Sequence, residues 1–471
     1  MKKIINKHPY WTVILSIITG ILITIAVGLI FFFNFLRGDG TNNNFNRVAS
    51  VFNQINNDYY RKVDSSKLAT GAIDGMLSTL DDPFSNYLTD NDATDLNDSV
   101  SGSFGGVGIQ VVKKDNKIEV MSTIDGTPAQ KAGLKAGDVI NTVDGKSLSG
   151  KSLSKAMTLM RGKVGTKVKL GLQRGNTTFT KSITRAKIPV ETVTSKMLSQ
   201  KVGYIAISSV AEKTSKELKA ALKRLDKAGA KSYIIDVRNN PGGLMDQALK
   251  MSSMFLKNGK TIMQVEDRNG DKESYKASKK LDGGYKVKKP VVVMINGESA
   301  SAAEIFAAAL HQSANVPLVG SKSYGKGTVQ NITQYTDSDE LKLTIAKWLT
   351  PNGTWIHKKG IIPDYKADYP AMAYITSFDE KKTYTVGQSN TDIKNLQIAL
   401  KDLGYYDGTP TSDFTDQFAT AVKRYQSENK LTANGQVDAK TMRSIEQKVI
   451  EELSKNDPAL KMAEKVSVAK R

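Results

Sequence analysis

The fold is decided by "PVVVMINGESASAAEIFAAALHQ", residues 290–312. Five apolar residues, Val291 to Ile295, read as a buried strand, Asn296-Gly297 as a tight turn, and the Ala-rich run after it as a helix. Ser301 followed by Glu304 fits the S-x-x-E capping box, in which serine caps the helix and glutamate returns to the backbone. The same strand–turn–helix corner would also present Ser301 beside the free amides of a helix start, where an anionic oxygen could be held. Nucleophile elbows use this geometry, although the G-x-S-x-G spelling is absent. Capping and attack both remain open, and Ser299 is the other candidate serine.

An attacking serine needs a proton acceptor, and the chain holds three histidines and no cysteine. His8 precedes a long apolar run. His311 lies on the same helix as Ser301, about 15 Å of axial rise away, and cannot reach it. His357 stands alone in "NGTWIHKKGIIPD". A lysine can serve if burial makes it neutral. The candidates are Lys322 and Lys326 in "VPLVGSKSYGKGTVQ", and Lys326 sits between Gly325 and Gly327, where backbone can crowd the amine. No two histidines stand at ligand spacing, so no metal is expected, and nothing calls for a cofactor.

Working outward, "SYIIDVRNNPGGLMDQAL" is a strand ending near Arg238, then a sharp Pro241-Gly242-Gly243 turn into a helix. Paired glycines let backbone amides approach a ligand closely. Strand-like and helical runs alternate from Ile188 to about Tyr374, which argues an α/β core. At the N-terminus no residue from Trp11 to Leu36 is charged, long enough to span a bilayer of roughly 30 Å. Lys2, Lys3 and Lys7 precede it, so positive-inside bias keeps the first ten residues cytoplasmic and exports the rest. The formal net charge of +20 favours anionic surroundings, and export turns that preference from nucleic acid toward phospholipid and wall polymers.

Taken together, "SASAAE", "GKGTVQ" and "RNNPGG" resemble the C-terminal processing (tail-specific) serine peptidases. The resemblance covers roughly residues 45 to 370 and implies a Ser301–Lys326 dyad acting without histidine. It further implies that Gln330 orients the lysine, and that Ala302 with Gly242 or Gly243 supplies the oxyanion hole. Glu298 and Ala303 depart from the family spelling without touching the dyad.

The flanking modules carry resemblances of their own. "GTPAQKAGLKAGDVINTVDGKSL" is similar to a PDZ domain, and "FGGVGI" stands where its carboxylate-binding loop would be. That implies contacts to a peptide terminus from Gly105, Gly106, Val107, Gly108 and Ile109. Arg161 resembles an arginine that couples peptide binding to the protease site. "LQIALKDLGYYDG", "AVKRYQ" and "NGQVDAKT" are similar to a peptidoglycan-binding domain, with Thr415 replacing a usual glycine.

The expected architecture is an α/β protease core of strand–turn–helix units over 188–375, with a mostly-β PDZ domain inserted at 99–187. A helical segment over 44–98 precedes it, a three-helix domain follows at 384–446, and a charged tail runs over 447–471. One transmembrane helix at 11–36 follows a cytoplasmic segment at 1–10. The expected function is a single-pass, cell-membrane, extracytoplasmic serine endopeptidase. Its partners would be C-terminal tails of exported or membrane proteins, peptidoglycan and the membrane itself, with no nucleic acid. A homodimer is implied by family analogy alone. The competing expectations are a catalytically silent scaffold joining protein tails to the wall, and a wall hydrolase, for which no catalytic carboxylate pair is apparent.

Overall fold

The computed structural model describes residues 42–114, 116–336, 339–376 and 378–471. The expected cytoplasmic segment and membrane anchor lie outside the described residues, and among the described ones no helix is long and apolar enough to cross a membrane. The described residues divide into two compact units, with the boundary after Tyr87 in the chain.

The first unit holds helices Asn42–Asp58 and Ser65–Ser78. Asp64 starts the second by accepting from the amides of Ser66 and Lys67. Apolar Phe45, Val48, Val51 and Ile55 recur at helical spacing, yet all four are exposed.

The second unit opens with helix Asp90–Ser101, which ends at Gly102 with a φ of 60°. The helical expectation for 44–98 is thus broken by the turn after Ser78 and overrun at its end. The inserted domain follows, tied at its neck by antiparallel strands Ser103–Gly106 and Ala186–Pro189. Its main sheet runs in the order Ile109–Lys114, Lys117–Thr123, Val139–Val143, Lys167–Arg174, Thr177–Thr184. In the fourth strand Val168, Leu170 and Leu172 are buried between exposed or half-buried neighbours, the period-two pattern of a sheet with one dry face.

The core of the second unit is a six-stranded sheet in the order Val193–Met197, Val202–Ile207, Ser232–Asp236, Val291–Ile295, Leu318–Gly320, Tyr365–Lys366. The first pair is antiparallel and the others parallel. Ser232–Asp236 and Val291–Ile295 are buried at every position, as strands covered on both faces must be. Helices Thr214–Lys227, Met245–Ser253 and Ala302–Ala314 supply one cover. The other is helix Pro458–Ala469, whose Ala459, Ala463 and Val466 pack on Val202, Ile234, Val292, Met294 and Val319.

That last helix corrects the expectation of a charged tail over 447–471. Helix Ala439–Lys455 runs past Gln447, and Pro458–Ala469 then returns to the core sheet. Alanine at two contact positions hid it, because small residues carry little hydrophobic signal while allowing close approach to a sheet.

Between the core and that helix lies an all-helical domain of Thr391–Asp402, Asp416–Glu428 and Ala439–Lys455. Its own core gathers Leu396, Leu400, Phe414, Phe418, Val422 and Tyr425, and extends to Met372 and Val449, beyond the expected limits of 384–446. Thr415, the departure noted above, caps the second helix by accepting from the Phe418 amide at 3.2 Å.

Candidate active site

Strand Val291–Ile295 delivers the chain to the turn at Asn296, and helix Ala302–Ala314 leaves from it. Ser301, at the corner, has φ 53° and ψ −115°, a conformation that costs a non-glycine residue about 1–3 kcal/mol. The surroundings enforce it: Ala302 through Leu310 are all buried, so the helix cannot rotate to relieve the corner.

Ser299 and Ser301 differ sharply. Ser299 is fully buried, donates to the Val237 carbonyl at 2.7 Å and accepts from the Asn296 amide at 2.9 Å. Its hydroxyl is committed to holding the turn together. Ser301 is half-buried at the corner.

The buried carboxylate of Glu304 organises what surrounds the corner. Its Oε2 accepts from the amides of Ser301 and Lys326, both at 2.9 Å. Its Oε1 accepts from the Gly325 amide at 2.7 Å and the Ser323 hydroxyl at 2.6 Å. Burial pushes this carboxyl above its ordinary range, against the pull of its four donors. Glu304 thus does more than return to its own helix start, the role of the capping box. It also draws in the lysine loop.

That loop is clamped from its other side by residues 355–361. A Cβ on Gly325 would come within 2.7 Å of the Gly360 nitrogen, and one on Gly327 within 2.9 Å of the His357 nitrogen. Lys358 donates its amide to the Gly325 carbonyl, and the Trp348 indole donates to the Lys326 carbonyl at 2.7 Å. Lys326 is half-buried and Lys322 exposed. His357 stacks on Trp355 and accepts weakly from the Gly327 amide, placing it behind the loop. His311 is held by the Val316 carbonyl at the far end of its helix. Gln330 stands at a β-bulge, its amide nitrogen donating to the hydroxyls of Thr328 and Thr344. Its donors are therefore spent on threonines, and Oε1 is its remaining side-chain acceptor.

The Asn239–Gly243 turn closes the site from the neighbouring strand. Asn239 and Asn296 exchange hydrogen bonds, and the Asn240 carbonyl accepts from the Ala300 amide. A Cβ on Gly242 would strike the Ala300 carbonyl at 2.7 Å and approach the Ala302 nitrogen to 3.0 Å, so only glycine fits against the corner. The two glycine amides are not equivalent. Gly242 donates to Asn240 Oδ1 at 2.9 Å, within its own turn. Gly243 bridges Val210 through the Gly242 carbonyl and the Leu244 amide, which turns its own amide away from that strand. Sequence reasoning left Gly242 and Gly243 as alternatives, and it missed Asn240, whose type is unremarkable in a turn.

The inserted domain carries a cleft of about 560 Å³ between strand Ile109–Lys114 and helix Leu153–Met160, lined by Val107, Ile109, Val111, Ile124, Met157 and Met160. The strand's outer edge has no strand partner among the described residues. The carbonyls of Val107 and Gly108 are held by the Ala129 and Ile124 amides, so the amides of Gly108 and Ile109 face the opposite way across their trans peptides. Gly106 and Arg161 also line the cleft, with the Arg161 guanidinium 4.4 Å from the Phe104 ring centre. Gly105 does not line it. Its backbone packs against Gly162, where a Cβ would lie 2.1 Å from a carbonyl oxygen.

Comparison with known proteins gives four family matches along the chain. "Peptidase family S41" matches residues 201–367, "PDZ domain" 105–184, "Putative peptidoglycan binding domain" 389–445 and "Activating protease CtpB N-terminal domain" 36–92. The carboxy-terminal processing protease CtpA of Bacillus subtilis (strain 168) is 47% identical over 420 residues, covering 89% of each chain. A probable CtpA-like serine protease of Staphylococcus aureus (strain MSSA476) is 38% identical over 457 residues, covering 96% of this chain and 91% of its own. Among solved structures, a photosystem II D1 C-terminal processing protease aligns at 30% identity with a TM-score of 0.41, over 66% of this chain and 84% of its own.

Proposed function

This chain belongs to peptidase family S41, among the carboxy-terminal processing proteases, and from that premise we propose a serine endopeptidase that cleaves protein tails with Ser301 as nucleophile and Lys326 as base. The observation that carries the assignment is the shared carboxylate of Glu304, which fixes the backbone of both residues to one point. In the reaction, the neutral amine of Lys326 takes the Ser301 proton as Oγ adds to the scissile carbonyl. The amides of Ala302 and Gly243 receive the developing oxyanion. Collapse expels the amine end of the cleaved bond, protonated by Lys326, and leaves an acyl-serine. Water, deprotonated by the same lysine, then releases the acid. Gln330 holds the lysine through Oε1.

The PDZ cleft selects the substrate. A tail adds as a strand along Ile109–Lys114, its carboxylate meeting the amides of Gly108 and Ile109 and its last side chain entering the apolar cleft. The apolar run at 11–36 anchors the protein in the cell membrane with its domains outside, and the all-helical domain docks on peptidoglycan. The deciding test is cleavage of a tail peptide by purified full-length protein. Wild type should cut it, while Ser301→Ala and Lys326→Ala should not. Equal cleavage by either variant would overturn the dyad.

A further inference from the structure

We infer that Asp457 is a positioning residue for catalysis: through Arg238 it holds the Asn239–Gly243 turn, so the segment after the peptidoglycan-binding domain is a working part of the active site. The inference rests on the reading that this turn lends an oxyanion amide.

Arg238 immediately precedes the turn, and its side chain is only 10% exposed. Two carboxylates divide its guanidinium. Asp236, at the strand end, takes Nε at 3.0 Å and Nη2 at 2.7 Å. Asp457 takes Nη1 at 3.0 Å and Nη2 at 2.7 Å, the two-pronged arrangement that fixes direction as well as distance. Tyr204 completes the cluster by donating to Asp236 at 2.7 Å.

Asp457 is itself rigidly placed. It begins helix Pro458–Ala469 by accepting from the Leu460 amide at 2.9 Å. That helix is pinned along the sheet by its apolar face and at its far end by a hydrogen bond between the buried hydroxyls of Ser467 and Ser232. Arg238 is therefore suspended between a strand end and a helix start. Without the second anchor the guanidinium keeps only Asp236, on its Nε side, and its Nη1 is left unheld, while the next residue, Asn239, is the one that hydrogen-bonds to Asn296 of the Ser301 corner.

The test compares two variants of the full-length protein. Asp457→Asn keeps the helix cap and the shape but removes the charge that grips Arg238. Val466→Ala weakens the docking of the same helix without touching Arg238. For Asp457→Asn, kcat on a tail peptide should fall about ten- to a hundredfold with little change in KM, the scale expected when a catalytic group is displaced by about 1 Å. Val466→Ala should lower the unfolding temperature and retain kcat. A kcat for Asp457→Asn within twofold of wild type would overturn the inference. So would an equal loss in Val466→Ala, since the effect would then follow stability alone. A peptide aldehyde separates this from the underlying reading. If Asp457→Asn lowers kcat yet weakens the aldehyde no more than the cleaved product, the positioning role stands and the oxyanion role of the turn falls.

Discussion

The backbone amides of Ser301 and Lys326 meet at a single atom, Glu304 Oε2. The corner that carries Ser301, the proposed nucleophile, and the loop that carries Lys326, the proposed base, are thus registered by one carboxylate.

Glu304→Gln should therefore impair both chemistry and folding. An amide in this cage turns an N–H toward groups that are all donors, a mismatch costing about 1–3 kcal/mol. Wild type should also show a pH signature. The folded carboxyl lies above the ordinary value of 4.5, so the folded state binds more protons than the unfolded state between 4.5 and the raised value. The contribution of Glu304 to stability should fall as pH rises through that window and level off above it. Urea unfolding across the acid range should show this slope in wild type and its loss in Glu304→Gln.

Ser301→Ala should abolish cleavage and labelling by a fluorophosphonate while leaving the unfolding temperature near that of wild type. Ser299→Ala should behave in reverse, losing about 1–3 kcal/mol because the Asn296 amide is left without its acceptor, yet still taking the label. Labelling lost in Ser299→Ala with folding intact would reassign the nucleophile.

Lys326→Arg should be inactive although it preserves the charge, because arginine does not release its proton in a protein. Lys322→Arg, at an exposed position, should retain activity. Single-turnover cleavage by the two variants and wild type checks this. Appreciable turnover by Lys326→Arg would exclude the lysine as base.

Amidating a tail peptide should weaken its binding to the PDZ cleft by about tenfold or more, since the amides of Gly108 and Ile109 would lose their anionic partner. Gly108→Ala should do the same, because its φ of 84° and the Thr127 side chain both exclude a Cβ. Fluorescence anisotropy with free and amidated tails would decide. Equal affinities would reject carboxylate capture.

A fragment spanning residues 371–455 should fold and sediment with purified sacculi, whereas one limited to 384–446 should be less stable for want of Met372 and Val449. Binding by the longer fragment that disappears at moderate salt would instead indicate nonspecific ionic contacts.

The sequence made the site legible wherever chemistry and local geometry share a motif. Ser301, Glu304 and the paired glycines lie in turns that spell out their own conformation, and the strand before Ser301 is apolar without interruption. What stayed hidden depends on contacts across long stretches of chain. Asp457 looks like one more helix cap, and nothing local says that its other face grips Arg238, 219 residues away. Ser299 and Ser301 are the same residue type two positions apart, and it is burial against the distant Val237 carbonyl that commits the first. The final helix escaped notice because alanines hold two of the three buried apolar positions on its contact face.

The position of that helix in the chain also orders the protein's biogenesis. Val202, Ile234, Val292, Met294 and Val319 form an apolar face whose cover, Pro458–Ala469, is synthesised after every other described element. Until those residues emerge, the core sheet has one wet face and Arg238 lacks the Asp457 carboxylate. The core sheet is therefore completed only once Pro458–Ala469 has been made and has docked on it. A chain stopped before Pro458 should accordingly be degraded rather than active, which pulse-labelling of such a truncation would reveal.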